Sequence, residues 1–172
     1  MHTFATGTTP QHQERDTELR EIVDVADDYT GRARTVLEYS LLMKSLVDLA
    51  KEPGFSKEGW APLAELVATD EFVRVGNFKE VMNWSEYVEF LTGWAGSSQW
   101  AGSFRRITET PDVVFLELEE RSSVGDFSSV VNSVSVYEFD DAGKISHIDV
   151  YLQMALPESA MLGSYEDVQI SE

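Results

Sequence analysis

Apolar positions early in the chain keep a helical rhythm, and those later keep a strand rhythm. Val36, Leu37, Leu41, Leu42, Leu46 and Leu49 recur at three- and four-residue spacing, one apolar stripe of a helix over 32–51. Pro53 and Gly54 stop that helix. Leu19, Ile22, Val23 and Ala26 keep the same spacing and predict a short helix over 17–27, closed by Gly31. Ser56 is placed to cap a helix over 56–67 whose Trp60, Leu63, Ala64 and Val67 face a core. The run TDEFVRVG at 69–76 reads as a short strand ending in a turn. Asn83, with Glu86 three residues on, has the spacing of a capping box and opens a third helix over 83–95. Tyr87, Phe90, Leu91 and Trp94 share one face of it.

Beyond Gly96 the period falls to two. Strands are predicted over 99–108, 113–122, 130–139 and 145–153, separated by Thr110-Pro111-Asp112, Val124-Gly125-Asp126 and Asp140 to Lys144. In the last strand His147, Asp149, Tyr151 and Gln153 form one face and Ile148, Val150 and Leu152 the other. In the strand before it, Val131, Ser133, Ser135, Tyr137 and Phe139 alternate with Asn132, Val134, Val136 and Glu138. Both sets mix small polar with apolar groups, so periodicity leaves its inward face open.

Helices followed by hairpin-linked strands predict an α+β domain with a curved, mainly antiparallel sheet covered by three helices over residues 32–154. The flanks are an acidic N-terminal tail over 1–31, with the short helix, and a C-terminal tail over 155–172. At 172 residues the chain fits one domain with a sizeable core.

Charge and composition narrow the function classes. Thirty-one acidic against 13 basic residues give a net charge of −18, which repels nucleic acid and anionic lipid. No run reaches the ~20 apolar residues that span a bilayer, and the first residues lack the pattern of a signal peptide. Cysteine is absent, so disulfides and thiolate metal sites are excluded. No glycine-rich phosphate loop, nucleophile elbow or His-Glu metal spacing occurs. The expectation is a cytoplasmic protein without cofactor or metal.

The segment WAPLAELVATD at 60–70, FDDAGKI at 139–145 and Asp149-Val150-Tyr151 resemble the nuclear transport factor two-like superfamily, in particular its SnoaL-like domains. The resemblance covers about residues 32–154. It implies a cone-shaped fold enclosing a small-molecule cavity and pairing of two copies through the outer sheet face. It also implies membership among isomerases, cyclases, dehydratases, epoxide hydrolases and non-enzymatic binders. The catalytic positions of ketosteroid isomerases fall near Ser45, Val75 and Ser135. The last-strand aspartate of epoxide hydrolases and polyketide cyclases falls at or near Val150. Of the two sheet histidines of scytalone dehydratase, His147 alone has a counterpart.

Candidate chemistry centres on His147 and Asp149, two residues apart on one strand face, where a carboxylate beside an imidazole makes a general base. The competing reading puts the pair on the outer face, with Ile148, Val150 and Leu152 toward the helices. Glu117, Glu119 and Arg121 alternate in the same way against Leu116 and Leu118, with Arg105 or Arg106 to balance them. Arg74, near the end of the first strand, is placed either to bind an acidic group or to pair with a carboxylate such as Glu71. Trp60, Tyr87, Phe90, Trp94 and Tyr137 supply aromatic walls, Ser133 and Ser135 neutral hydrogen bonds, and Val150 an apolar patch. These residues predict a pocket for a neutral, ring-containing hydrophobic molecule. An acid–base isomerase, lyase or cyclase and a ligand-binding module of the same fold both fit it.

Overall fold

In the computed structural model, which describes residues 18–154, the helices lie against one side of a seven-stranded sheet of order β1-β4-β5-β6-β7-β2-β3. Its strands are β1 Arg20–Glu21, β2 Val73–Val75, β3 Val81–Asn83, β4 Ser98–Glu109, β5 Val113–Val124, β6 Phe127–Phe139 and β7 Ile145–Gln153. The helices are α1 Ile22–Val25, α2 Gly31–Leu49, α3 Ala61–Ala64 and α4 Trp84–Ala95. This is the α+β cone. Every pairing between these strands is antiparallel except that of β2 with β7, which is parallel and is preceded by a single parallel bridge from Val67 to Ile145.

The long strands run close to the predicted bounds, and β5 and β6 continue to a tight turn where Gly125 takes φ +58. The predicted helix over 56–67 is instead a 3-10 turn at Lys57–Trp60 followed by the single helical turn α3. Ser56 makes no capping bond to the backbone, its hydroxyl donating to Glu58. The strand expected over 69–76 shrinks to β2, because residues 69–71 form a turn that leads into the buried Phe72. Pairing with β2 makes a strand, β3, of Val81–Asn83. At Asn83 the capping box is present: its side chain accepts the Glu86 N–H, and Glu86 accepts the Asn83 N–H, both at 2.9 Å. Such a cap stabilises a helix by about 1 kcal/mol.

The core reaches further toward the N-terminus than residue 32. Ile22, Val25 and Ala26 are buried in it, and β1 pairs with β4. Gly31, expected to close the first helix, opens α2 with φ +63. Residues 1–17 and 155–172, which hold most of the two predicted tails, lie outside the described residues.

Two bulges decide which side chains face the helices. In β4 the register slips between Phe104 and Arg106, so Phe104 opposes Leu118 on the inside while Arg106 opposes Glu117 on the outside. The extra residue, Arg105, also turns outward, to Glu119. In β7 Glu138 opposes His147 and Phe139 opposes Ile145, which leaves Ser146 as the extra residue. That is why Ile145 and Ile148, of opposite parity, are both buried in the core.

Candidate functional site

The cavity lies between the concave face of the sheet and helices α2 and α4. Its volume is about 280 Å³, at the small end of ligand pockets. Helical spacing brings Tyr39, Ser40 and Met43 of α2 into one wall and Tyr87, Phe90, Leu91 and Trp94 of α4 into another. The sheet supplies the rest in alternation: Leu118, Glu120 and Ser122 from β5, Ser129, Val131, Ser135 and Tyr137 from β6, Ile148, Val150 and Leu152 from β7. Trp100 of β4, Arg74 of β2 and Met154, just past β7, complete it. The β6 face that periodicity left open is therefore the odd-numbered one.

Of the residues singled out in the sequence, Arg74, Tyr87, Phe90, Trp94, Ser135, Tyr137 and Val150 line the cavity. Others are placed elsewhere. Trp60 is fully buried, with Phe55 edge-on at 5.4 Å and its Nε1–H donated to Thr92 Oγ1 at 3.0 Å. It joins the 3-10 turn to α4 instead of meeting a ligand. Ser133 shares the parity of Ser135 but is covered, and its Oγ has no hydrogen-bond partner among the described residues. His147 and Asp149 are on the outer face, Nε2 to Oδ1 at 3.0 Å, because Ile148 and Val150 take the inward positions of β7. The pair cannot act as a base inside the cone.

Three tyrosines meet at one end of the cavity. The Tyr39 and Tyr87 hydroxyls are 3.3 Å apart, and the Tyr39 and Tyr137 rings pack edge to face at 5.9 Å. Burial, with the neighbouring phenols, pushes the Tyr39 hydroxyl well above its usual value. Tyr137 is pushed up by burial first, then by Tyr87 and the Glu120 carboxylate, with Ser40 and Ser135 acting the other way. Both stay protonated at neutral pH and offer neutral hydrogen bonds. The Arg74 guanidinium lies 5.0 Å from the centre of the Tyr87 ring. Burial lowers its basicity, but Tyr87, Tyr39 and Glu80 together hold it above the ordinary arginine value.

Glu120 is the residue that sequence reasoning missed. It continues the inward set Leu116, Leu118, and extending that alternation by one step finds it. Its Oε2 accepts the Trp100 Nε1–H at 2.8 Å, which orients the carboxyl at the cavity wall. It is the carboxylate among the described residues lining the cavity, and no histidine is among them. Nowhere among the described residues do three or more His, Asp or Glu side chains stand together as a metal site. No helix there is long and apolar enough to cross a membrane.

No protein-family model matches the sequence, and no curated protein matches it. Solved structures do. An NTF2-like protein of unknown function from Exiguobacterium sp. 255-15 superposes with a TM-score of 0.53 at 12% identity, over 69% of this chain and 98% of that one. Another, from Cytophaga hutchinsonii, gives 0.51 at 12% over 73% and 92%. A Catenulispora acidiphila protein with a ketosteroid isomerase-like fold, solved in complex with trimethylamine, gives 0.52 at 11% over 68% and 83%. At such identities the likeness is one of fold: the chain has the nuclear transport factor two-like fold.

Proposed function

We propose that this chain holds a largely apolar, ring-containing small molecule in the cone and acts on it by cofactor-free acid–base chemistry, as an isomerase, lyase or cyclase. The observation that carries the reading is Glu120, a carboxylate fixed by Trp100 in a cavity otherwise walled by aliphatic, aromatic, serine and phenol groups. Glu120 takes a proton from an activated carbon of the ligand and returns it at a second position. The Tyr39, Tyr87 and Tyr137 hydroxyls are donors to a ligand oxygen, and burial keeps Tyr39 and Tyr137 protonated for that role. A ligand-binding module without turnover is the second reading. It is favoured by the lack of a second carboxylate or a histidine among the described lining residues.

Proton exchange separates the two without knowledge of the natural substrate. A panel of cyclic ketones that bind, as followed by fluorescence of Trp94 and Trp100, is incubated with the protein in D2O. Deuterium entering beside the carbonyl is then measured by NMR. The acid–base reading expects catalysed exchange that Glu120→Gln lowers by roughly a hundredfold or more, with binding retained. Saturable binding with no exchange above solvent leaves the binding module.

A further inference from the structure

Arg74 is the cation among the described residues lining the cavity, and its hydrogen-bonding fork is incompletely filled. Its side chain is only 16% exposed. Its Nη1 is shielded from solvent and has no hydrogen-bond partner among the described residues. The Glu80 carboxylate stands 3.5 Å from that nitrogen, well beyond the about 2.7–2.9 Å of a charge-assisted hydrogen bond. Glu80 is itself committed to the turn it closes, where its other oxygen accepts the Phe78 N–H at 2.9 Å. Its side chain is 36% exposed, so water can receive the carboxylate when it leaves Arg74. A guanidinium offers five donors in a planar fork suited to a carboxylate, and burying one without filling that fork is costly.

We propose that Arg74 is an anion-binding residue, and that the ligand is an aromatic or alicyclic carboxylate, or a comparable oxyanion, whose charged group displaces Glu80. The inference rests on the pocket reading above and narrows it, replacing the neutral ligand expected from the sequence. Tyr87, stacked against the guanidinium, holds the fork in place while Phe90, Trp94 and Val150 enclose the ring. Glu120 is not among the groups that act on Arg74, which are Tyr87, Tyr39 and Glu80, although its carboxylate reaches the Tyr137 phenol. The net charge of −18 does not decide the matter either, since exposed charges are screened beyond about 8 Å at physiological salt.

The test uses two probes of nearly one shape, 2-naphthoate and the neutral 2-naphthylmethanol, titrated by calorimetry into the full chain at pH 7.5. Naphthoate is expected to bind about tenfold tighter or better. Arg74→Gln removes that preference and leaves naphthylmethanol within about threefold of the original chain. Glu80→Gln, which takes away the internal competitor, tightens naphthoate several-fold and leaves naphthylmethanol unchanged. Equal affinities for the two probes, or a preference that survives Arg74→Gln, overturn the inference and leave the pocket standing. If neither probe binds, the pocket reading falls and this falls with it. Should Arg74→Gln fail to fold, Glu80→Gln decides, and an unchanged naphthoate affinity counts against the proposal.

Discussion

On the outer face of the sheet, charged and polar side chains find partners on the sheet itself. Arg105 and Arg121 approach Glu119 at 3.2 and 3.3 Å, Arg106 holds Glu117, and His147 holds Asp149. On the inner face two charged side chains line the cavity, Arg74 and Glu120, one beside a distant carboxylate and the other beside an indole N–H. The same strands build both faces, so the difference is not one of local conformation. A half-exposed ion pair adds little to stability and needs no ligand to complete it. A poorly paired charge in an apolar cavity is costly to keep unless it acts on something brought from outside. The outer network therefore reads as surface, and the two sparse inner charges read as the working groups.

The comparison breaks most visibly through packing. Leu118, on the inner face and buried, is expected to cost about 2–5 kcal/mol when changed to Ala. Chemical denaturation measures this, and a loss under about 1 kcal/mol would mean the inner wall is loosely packed. A mid-sized effect comes from pH. Burial raises the Tyr39 and Tyr137 phenols above their value in the unfolded chain, so their contribution is intact below pH ~10 and is lost as pH rises through the folded values. Stability should fall between pH 9 and 11 by on the order of 1 kcal/mol per tyrosine, and Tyr137→Phe should flatten the slope. A curve as steep in that variant would show that other groups set it.

The smallest effect on folding is expected outside. His147→Ala should change folding by no more than about 0.5 kcal/mol and leave ring probes bound as before. We also propose that this face, with Tyr151 60% exposed beside the mixed charges, is where a second copy of the chain docks. The same substitution should then weaken a dimer seen by light scattering at micromolar concentration. A chain that stays monomeric under those conditions ends the dimer proposal.

Much of this was legible in the residues. The β7 run 145–153 keeps its predicted bounds, and the Asn83–Glu86 box marks the start of α4 because capping is a local interaction. What was not legible depends on distant partners. β3 is a strand because β2 lies beside it, and Trp60 leaves the cavity because Thr92, on another helix, takes its N–H. Ser133 and Ser135 are indistinguishable by alternation, and only the depth of packing separates a covered hydroxyl from a lining one. Glu120 was within reach: three glutamates crowd β5 at 117, 119 and 120, and the one that shares the parity of Leu116 and Leu118 is the one in the cavity.

The parallel pairing of β2 with β7 bears on how the cone assembles in time. Strands β4 to β7 are joined hairpin to hairpin, so their ladder closes through short loops. The wall that carries Arg74 has to come from residue 73 to meet residue 147, a pairing of high contact order whose loop entropy must be met before its bonds form. Docking of β2 is therefore expected late on the folding route. The edge pair β2–β3 is also a natural unit for sub-global opening, the kind hydrogen exchange detects as weakly protected amides. Such an excursion would unlatch the arginine wall while the four-strand meander stays intact, opening the cavity from the β2 side.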